Sequence, residues 1–342
     1  MNSIQQVDIK NFALGFPFSN ELSNKSVLIT GGTGLIGSTI VKCLQGLNLN
    51  VHITIPVRNA EKAFHVFEES LSGLTVVPCD LEDYLFNIED SFDFIFHCAS
   101  PTSGKFMSSH PVETYELAIN TTCNLLRYVK NHLECRLIYV SSLESYGEWN
   151  EDNLITEDDM GYVNPYSSRS SYPLGKRAAE FLCFSYASEY GVPVMIARLT
   201  QTLGPGVSAE DNRVFAQFVR SIVNNKDIIL HTKGESAKPY CYTTDCVMAL
   251  LYILFRGEKG QVYNVANQDS YISIMNLAKL LRDTFNPAVS IRIEPDPDMC
   301  YAPPTKLHLS SEKLMNLGWK PKYSLIEMFE RFIHYYKYEI NH

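Results

Sequence analysis

From Lys25 to Arg198, short apolar runs alternate with longer stretches in which apolar residues return at helical spacing. A short apolar run bounded by turn residues reads as a buried strand, and the longer period reads as an amphipathic helix. Repeated in this order, they predict βαβ units and a parallel sheet. The predicted strands are Ser26–Thr30, Val51–Val57, Leu74–Pro78, Phe92–Cys98, Arg136–Ser141 and Val194–Leu199. Helices such as Leu35–Leu47, Val112–His132 and Tyr172–Tyr190 fit between them.

Outside that stretch the pattern changes. Residues 1–24 are a polar extension with an apolar cluster from Phe12 to Phe18, expected to strap onto the body. After residue 200, loops rich in Gly, Pro, Asp and Asn separate shorter elements. The expected fold is α/β: a Rossmann-type doubly wound sheet over 25–200, with a smaller mixed substrate lobe over 201–342 closing on the carboxyl ends of the strands. The boundary is soft, since such chains cross between lobes.

Composition narrows the function. The 342 residues are 45% hydrophobic and 20% charged, which is globular rather than disordered or fibrous. Lys plus Arg number 29 against 38 for Asp plus Glu, a net charge of −9, which argues against a nucleic-acid partner. An anionic small ligand remains compatible, because one pocket needs only a few cations and a helix N-terminus. The nine cysteines lack a CxxC pair, as expected of free thiols in a reducing cytoplasm. The histidines show no metal spacing, and His97 is expected to pack near the cofactor. No apolar run is long enough to span a membrane or to direct export.

The chemistry sits at strand ends. Ser26–Thr30 runs into Gly31-Gly32-Thr33-Gly34-Leu35-Ile36-Gly37, a GxxGxxG turn that opens a helix. Glycine is required there for the tight turn, for approach to a pyrophosphate and for helix–sheet packing, which predicts a bound dinucleotide. Arg58 ends the second strand where an acid would select the free ribose, so it either accepts an NADP phosphate or only stacks on adenine or sits in solvent. Asp80 either meets the adenine amino group or caps a helix. Tyr172 and Lys176 stand at i and i+4 on one helix face, where the ammonium is expected to pull the phenol toward a usable acid/base range. Ser141-Ser142 ends the fifth strand beside them.

Taken together with Asn120, Arg198 and Leu317-Gly318-Trp319-Lys320-Pro321, these motifs resemble the extended short-chain dehydrogenase/reductases of the NAD-dependent epimerase/dehydratase family, which modify nucleotide sugars. The resemblance runs from Lys25 to about Tyr336. It implies an NAD site (alternatively NADP) formed by Gly31, Thr33, Gly34, Leu35, Ile36, Gly37, Arg58, Asp80, Leu81, Ala99, Asn120, Tyr172 and Lys176. It also implies a homodimer. Tyr172 would be the acid/base at the C4 hydroxyl, Lys176 its partner on the nicotinamide ribose, and Ser142 a guide for the same hydroxyl. Ser100, Arg169, Gln201, Arg213 and Lys238 would contact the substrate, and Arg58, Lys176, Arg198, Arg213 and Lys238 would line the path of two diphosphates.

The segment Ser141-Ser142-Leu143-Glu144 implies the reaction. Family dehydratases carry Thr-Asp-Glu there, and Leu143 cannot protonate a leaving hydroxyl. UDP-glucuronate decarboxylases resemble the segment best, with Glu144 retained and Arg169 placed either to hold the carboxylate or to form a loop salt bridge. A 4-ketoreductase or 4-epimerase is the alternative, and a non-catalytic dinucleotide-binding scaffold a second. The chain departs from the family at Gln201, at Lys238 where an Arg is usual, and at Ala302-Pro303-Pro304-Thr305-Lys306.

Overall fold

The computed structural model describes residues 3–67, 72–101, 103–295 and 304–341. Seven strands form the larger sheet: β1 (Ser26–Thr30), β2 (His52–Val57), β3 (Leu74–Pro78), β4 (Phe94–His97), β5 (Arg136–Ser142), β6 (Val194–Leu199) and β7 (Val262–Val265). Their spatial order is β7-β6-β5-β4-β1-β2-β3, and every pairing is parallel. The central strands β4 and β6 are buried along their whole length, which explains runs of apolar residues without alternation.

Helices cover both faces. Pro111 sits at the start of helix Pro111–Asn131, where its missing N–H costs nothing. Helix Ser171–Tyr190 stops at Gly191, whose φ of 71° supplies a left-handed cap. All six predicted strands form, each within two residues of its expected ends.

Past Leu199 the chain enters a second layer. Gln201–Leu203 lies parallel to Ala237–Tyr242, which pairs antiparallel with Asn267–Ser273. Helices Val214–Val223, Ile274–Phe285 and Leu325–Asn341 pack around a core that includes Phe215, Phe218, Leu281, Phe329 and Phe332. Residues 243–265 return to the larger sheet: helix Thr243–Arg256 buries Val247, Leu250 and Leu254 in that sheet's core, and β7 extends its edge. The smaller lobe is thus interrupted by a piece of the larger one. Trp319 fastens the crossing, with Nε1 donating to the Asp245 carbonyl at 3.0 Å while the Asp245 carboxylate accepts from the Lys322 and Tyr323 amides.

The N-terminal extension forms helix Ser3–Leu14. Phe12 stacks on Phe16, Phe16 meets Phe18 edge-on, and Phe18 continues onto Tyr252 and Phe255. Asp8, 2% exposed, accepts from Tyr242 Oη and pairs with Arg331 Nη1, both at 2.5 Å. Burial lifts its carboxyl above the usual range, opposed by those two partners. Replacing Asp8 with Ala leaves two donors facing an apolar gap. The expected loss is about 2 kcal/mol by urea unfolding, the scale of hydrogen bonds to a charged group.

Candidate active site

Gly34 precedes helix Leu35–Gly46 with an extended backbone and no side chain capping the first turn. A Cβ on Gly31 (φ 67°) would lie 2.9 Å from the Ala99 amide nitrogen, and one on Gly37 would lie 2.3 Å from the Gly31 carbonyl oxygen. The loop therefore tolerates only glycine at these points and leaves the helix N-terminus open, a cradle suited to a dinucleotide diphosphate. Half-buried Thr33 lies inside the turn, Leu35 leans on the smaller lobe's core and Ile36 on the sheet's core. Ala99 closes the cradle, its amide donating to Thr30 Oγ1 at 3.1 Å. These residues fit a bound NAD.

Farther along the edge, Arg58 is exposed at the end of β2. Asp80 displays the capping role: its Oδ1 accepts from the Glu82 and Asp83 amides at the start of helix Leu81–Phe86. Asn120 is exposed, and its amide donates to Glu82 Oε2 at 3.1 Å, which puts it beside that same short helix. One residue on, the helix turns Thr121 inward to His97 Nε2, while Thr30 Oγ1 meets His97 Nδ1 at 2.7 Å.

Burial holds His97 neutral by lowering its pKa to about 3. Its folded pKa lies below the unfolded value near 6.5, so the unfolded chain binds the extra proton throughout that interval. Stability contributed by neutral His97 is present above pH 6.5 and is expected to be lost as pH falls, at about 1.4 kcal/mol per unit. In denaturant titrations His97→Asn should flatten this slope.

Helix Ser171–Tyr190 crosses the carboxyl edge of β5. Tyr172, Lys176 and Glu180 fall at i, i+4 and i+8 and so share its inward face. The Ser142 and Ser100 hydroxyls lie close enough to the Tyr172 phenol to favour its ionised form, so Ser100, expected to touch substrate, stands first beside the phenol. Lys176, 4% exposed, donates from Nζ to the Val140 carbonyl at 2.8 Å, with the ammonium 5.6 Å from the Tyr172 ring centroid.

The expected lowering of the phenol pKa is not what the protein alone produces. Burial, reinforced by the negative charge of Glu144, pushes Tyr172 up to about 12 against the two serine hydroxyls. Burial also lowers Lys176 to about 8. With its ammonium turned to Val140 and itself disfavoured by burial, Lys176 does not offset the desolvation of the phenol.

Ser142 caps the 3-10 turn Leu143–Tyr146, its Oγ accepting from the Glu144 amide at 3.2 Å. Leu143 turns inward to Tyr146, Ile155, Ala266, Leu307 and Leu309, while Glu144 is exposed on the opposite side. Its charge reaches both Tyr172 and Lys238. Lys238 lies on Ala237–Tyr242, two positions before Tyr240, the pairing partner of Gln201.

Three of the predicted cations are differently engaged. Arg198 is 3% exposed and forms a bidentate pair with Glu180, with Nη2 at 2.8 Å from Oε2 and Nε at 3.1 Å from Oε1. It cannot line a diphosphate path, because β6 points it beneath the catalytic helix. Arg213 is clasped by Asp211 at 2.7 Å and lies over the Phe215 ring. Arg169 is exposed in the middle of the turn Ser168–Ser170, three residues before Tyr172. Of the divergent segment, Ala302 and Pro303 lie outside the described residues, and Lys306 approaches Asp152 at 3.7 Å.

Two residues escaped the sequence reading. Glu180 was available from its helical spacing to Lys176; it also accepts from Ser141 Oγ, next to Ser142. Arg177 gave no such signal, because its partners are backbone carbonyls. Among the described residues, no cluster of three His, Cys, Asp or Glu could hold a metal, and no helix is long and apolar enough to cross a membrane.

A glycine cradle facing a Tyr-x-x-x-Lys helix and a strand-end serine defines a dinucleotide-dependent enzyme of the short-chain dehydrogenase class. More narrowly, the chain belongs to the NAD dependent epimerase/dehydratase family, whose model matches residues 27–266. It is 30% identical over 315 residues to UDP-glucuronic acid decarboxylase 6 of Arabidopsis thaliana, covering 89% of this chain and 87% of that one. UDP-glucuronic acid decarboxylase 1 of Xenopus tropicalis is 29% identical, over 97% of this chain and 78% of its own. Among solved structures, the UDP-glucuronic acid 4-epimerase of Bacillus cereus, in complex with UDP-glucuronic acid and NAD, superposes with a TM-score of 0.78 at 21% identity, covering 92% and 99%.

Proposed function

We propose that this protein decarboxylates UDP-glucuronate through transient oxidation at C4. The observation that carries the reading is the turn after β5, which buries Leu143 and presents Glu144 beside the Tyr172–Ser142 pair. No second carboxyl stands at position 143 to eliminate water, yet a carboxylate remains for chemistry beyond C4. The decarboxylases at about 30% identity share that profile of activity by name.

The glycine cradle would hold NAD, which would supply a hydride acceptor and donor for C4 and a positively charged nicotinamide ring. Tyr172 takes the C4 hydroxyl proton, with Ser142 and Ser100 holding its oxygen in line. The C4 ketone makes the C6 carboxylate that of a β-keto acid. The C5–C6 bond then breaks, CO₂ leaves, and its electron pair passes into the C4–C5 enolate. A proton must reach C5 before hydride returns, and Glu144 stands where it can manage that proton. Arg169, three residues before Tyr172, and Lys238, which feels the charge of Glu144, are the cations we assign to the substrate's carboxylate and diphosphate.

Purified protein given UDP-glucuronate and NAD should yield a UDP-pentose lighter by one CO₂ on mass spectrometry; intact substrate, or an isomer of unchanged mass, overturns the reading. Exposed Arg58 favours a second one, a net 4-ketoreductase drawing on NADPH, which would instead consume that cofactor stoichiometrically. We further infer a homodimer: Val112 and Tyr115 on one packed helix, and Phe181 and Phe184 on its neighbour, leave a large apolar face in water. Unpaired thiols at all eight described cysteines support a cytoplasmic setting.

A further inference from the structure

Arg177 follows Lys176 on the catalytic helix but points to the side, and it is half-buried. All three of its hydrogen bonds end on backbone carbonyls: Nε to Ser145 at 2.6 Å, Nη2 to Gly161 at 2.7 Å and Nη2 to Tyr146 at 3.1 Å. Two of these carbonyls close the turn that bears Glu144, and the third begins the segment returning toward Arg169. The two segments touch each other as well. Glu148 N donates to Tyr162 O and Gly161 N to Tyr146 O, both at 2.8 Å, with a bridge between Glu148 and Tyr162.

Contact this close needs two glycines. A Cβ on Gly161 would lie 2.1 Å from the Glu148 carbonyl oxygen, and one on Gly147 would lie 2.4 Å from that of Tyr162 and 3.0 Å from Arg177 Nη2. A guanidinium is always charged and carries its donors in a rigid fork, so it can gather carbonyls from two segments at once. Arg198 also bridges the two, lying 4.6 Å over the Tyr146 ring while paired with Glu180 of the helix, but Arg177 is the one that grips the main chain of the Glu144 turn.

We propose that Arg177 is a positioning residue: by gathering the Ser145, Tyr146 and Gly161 carbonyls it fixes the Glu144 carboxylate relative to the Tyr172 phenol, and so controls the step that follows oxidation at C4. The first half stands on geometry alone; the second rests on the decarboxylase reading. Catalytic groups displaced by about an ångström lose roughly a hundredfold in rate.

The test compares Arg177→Met and Arg177→Lys in the full chain by two measurements. The first needs no substrate. Carbon-13 tyrosine NMR, with the Tyr172 resonance assigned by its loss in Tyr172→Phe, should show the phenol midpoint shifting down in Arg177→Met. The shift should match that of Glu144→Gln, and the double variant should add nothing; Lys238, the other described group that feels Glu144, is unchanged in all of them. A midpoint that moves in Glu144→Gln but not in Arg177→Met overturns the positioning role.

In the second, UDP-glucuronate and NAD are mixed in a stopped-flow instrument. In Arg177→Met, CO₂ release should slow about a hundredfold while hydride transfer stays within a few-fold, so that NADH absorbance accumulates; Arg177→Lys should recover part of the loss. Equal slowing of both steps, or a lower unfolding temperature with neither step affected, reduces Arg177 to a structural brace and overturns control of the later step. If the unmodified protein releases no CO₂, the decarboxylase reading fails, and the phenol titration still decides the positioning claim.

Discussion

Tyr172→Phe is expected to reduce turnover by about 10² to 10⁴-fold, the range that a positioned proton-transfer group contributes. The ring is kept, so packing in the cleft is preserved and unfolding temperature should change little. NAD should still bind, because the glycine cradle and Lys176 are untouched. The phenol in the protein alone is held at about 12 by burial and by Glu144. At neutral pH it is therefore a poor base until positive charge arrives beside it. Without NAD the protein should do no chemistry on the sugar, and with it the rate should rise with pH as the phenol ionises. Substantial residual turnover in Tyr172→Phe would displace the acid/base assignment onto another group.

The largest structural loss is expected from Glu180→Ala. Glu180 is 6% exposed and takes Arg198 on both oxygens together with the Ser141 hydroxyl. Removing it strands a buried guanidinium, whose remaining acceptors include the Glu157 carbonyl. Breaking one side of a buried pair costs about 3–5 kcal/mol, whereas exchanging both partners for apolar residues of similar size is often nearly neutral. Urea unfolding should accordingly show a much smaller deficit in Glu180→Leu/Arg198→Met than in Glu180→Ala. If the single and double replacements cost the same, the pair is not electrostatically coupled. Activity should fall in both, because Ser141 adjoins Ser142 and Glu180 lies one turn beyond Lys176.

The contrast between Arg198 and the glycine turn explains how far the sequence could be read. Gly31, Gly34 and Gly37 are dictated by backbone geometry at one strand end, so their spacing carries their meaning. The six strands were legible for a related reason: a parallel strand covered on both faces is apolar throughout. A charged residue announces only that it needs a partner. Whether Arg198 met a diphosphate or Glu180 depended on which way β6 turned it, and Arg213 was taken by Asp211 on the same ground. The raised Tyr172 phenol was invisible too, since its surroundings are assembled from separate segments, those of Ser100 and of Ser142 and Glu144 among them. Arg177 was hidden most completely, because main-chain carbonyls leave no mark in an amino-acid string.

The N-terminal extension was read as a polar strap with an apolar cluster, and the polar node on its helix has a consequence for how the chain is made. Asp8 and Arg331 are 323 positions apart. During synthesis Asp8 therefore leaves the ribosome 323 residues ahead of its guanidinium partner, and Tyr242 comes between. Contacts of such sequence separation form late, since the entropy of closing the intervening chain must be met before they return anything. The helix Ser3–Leu14 can lie early against helix Leu35–Gly46, but its polar node closes only once Arg331 has been made, so a nascent chain halted before helix Leu325–Asn341 should yield that first helix to a protease more readily than the folded protein does.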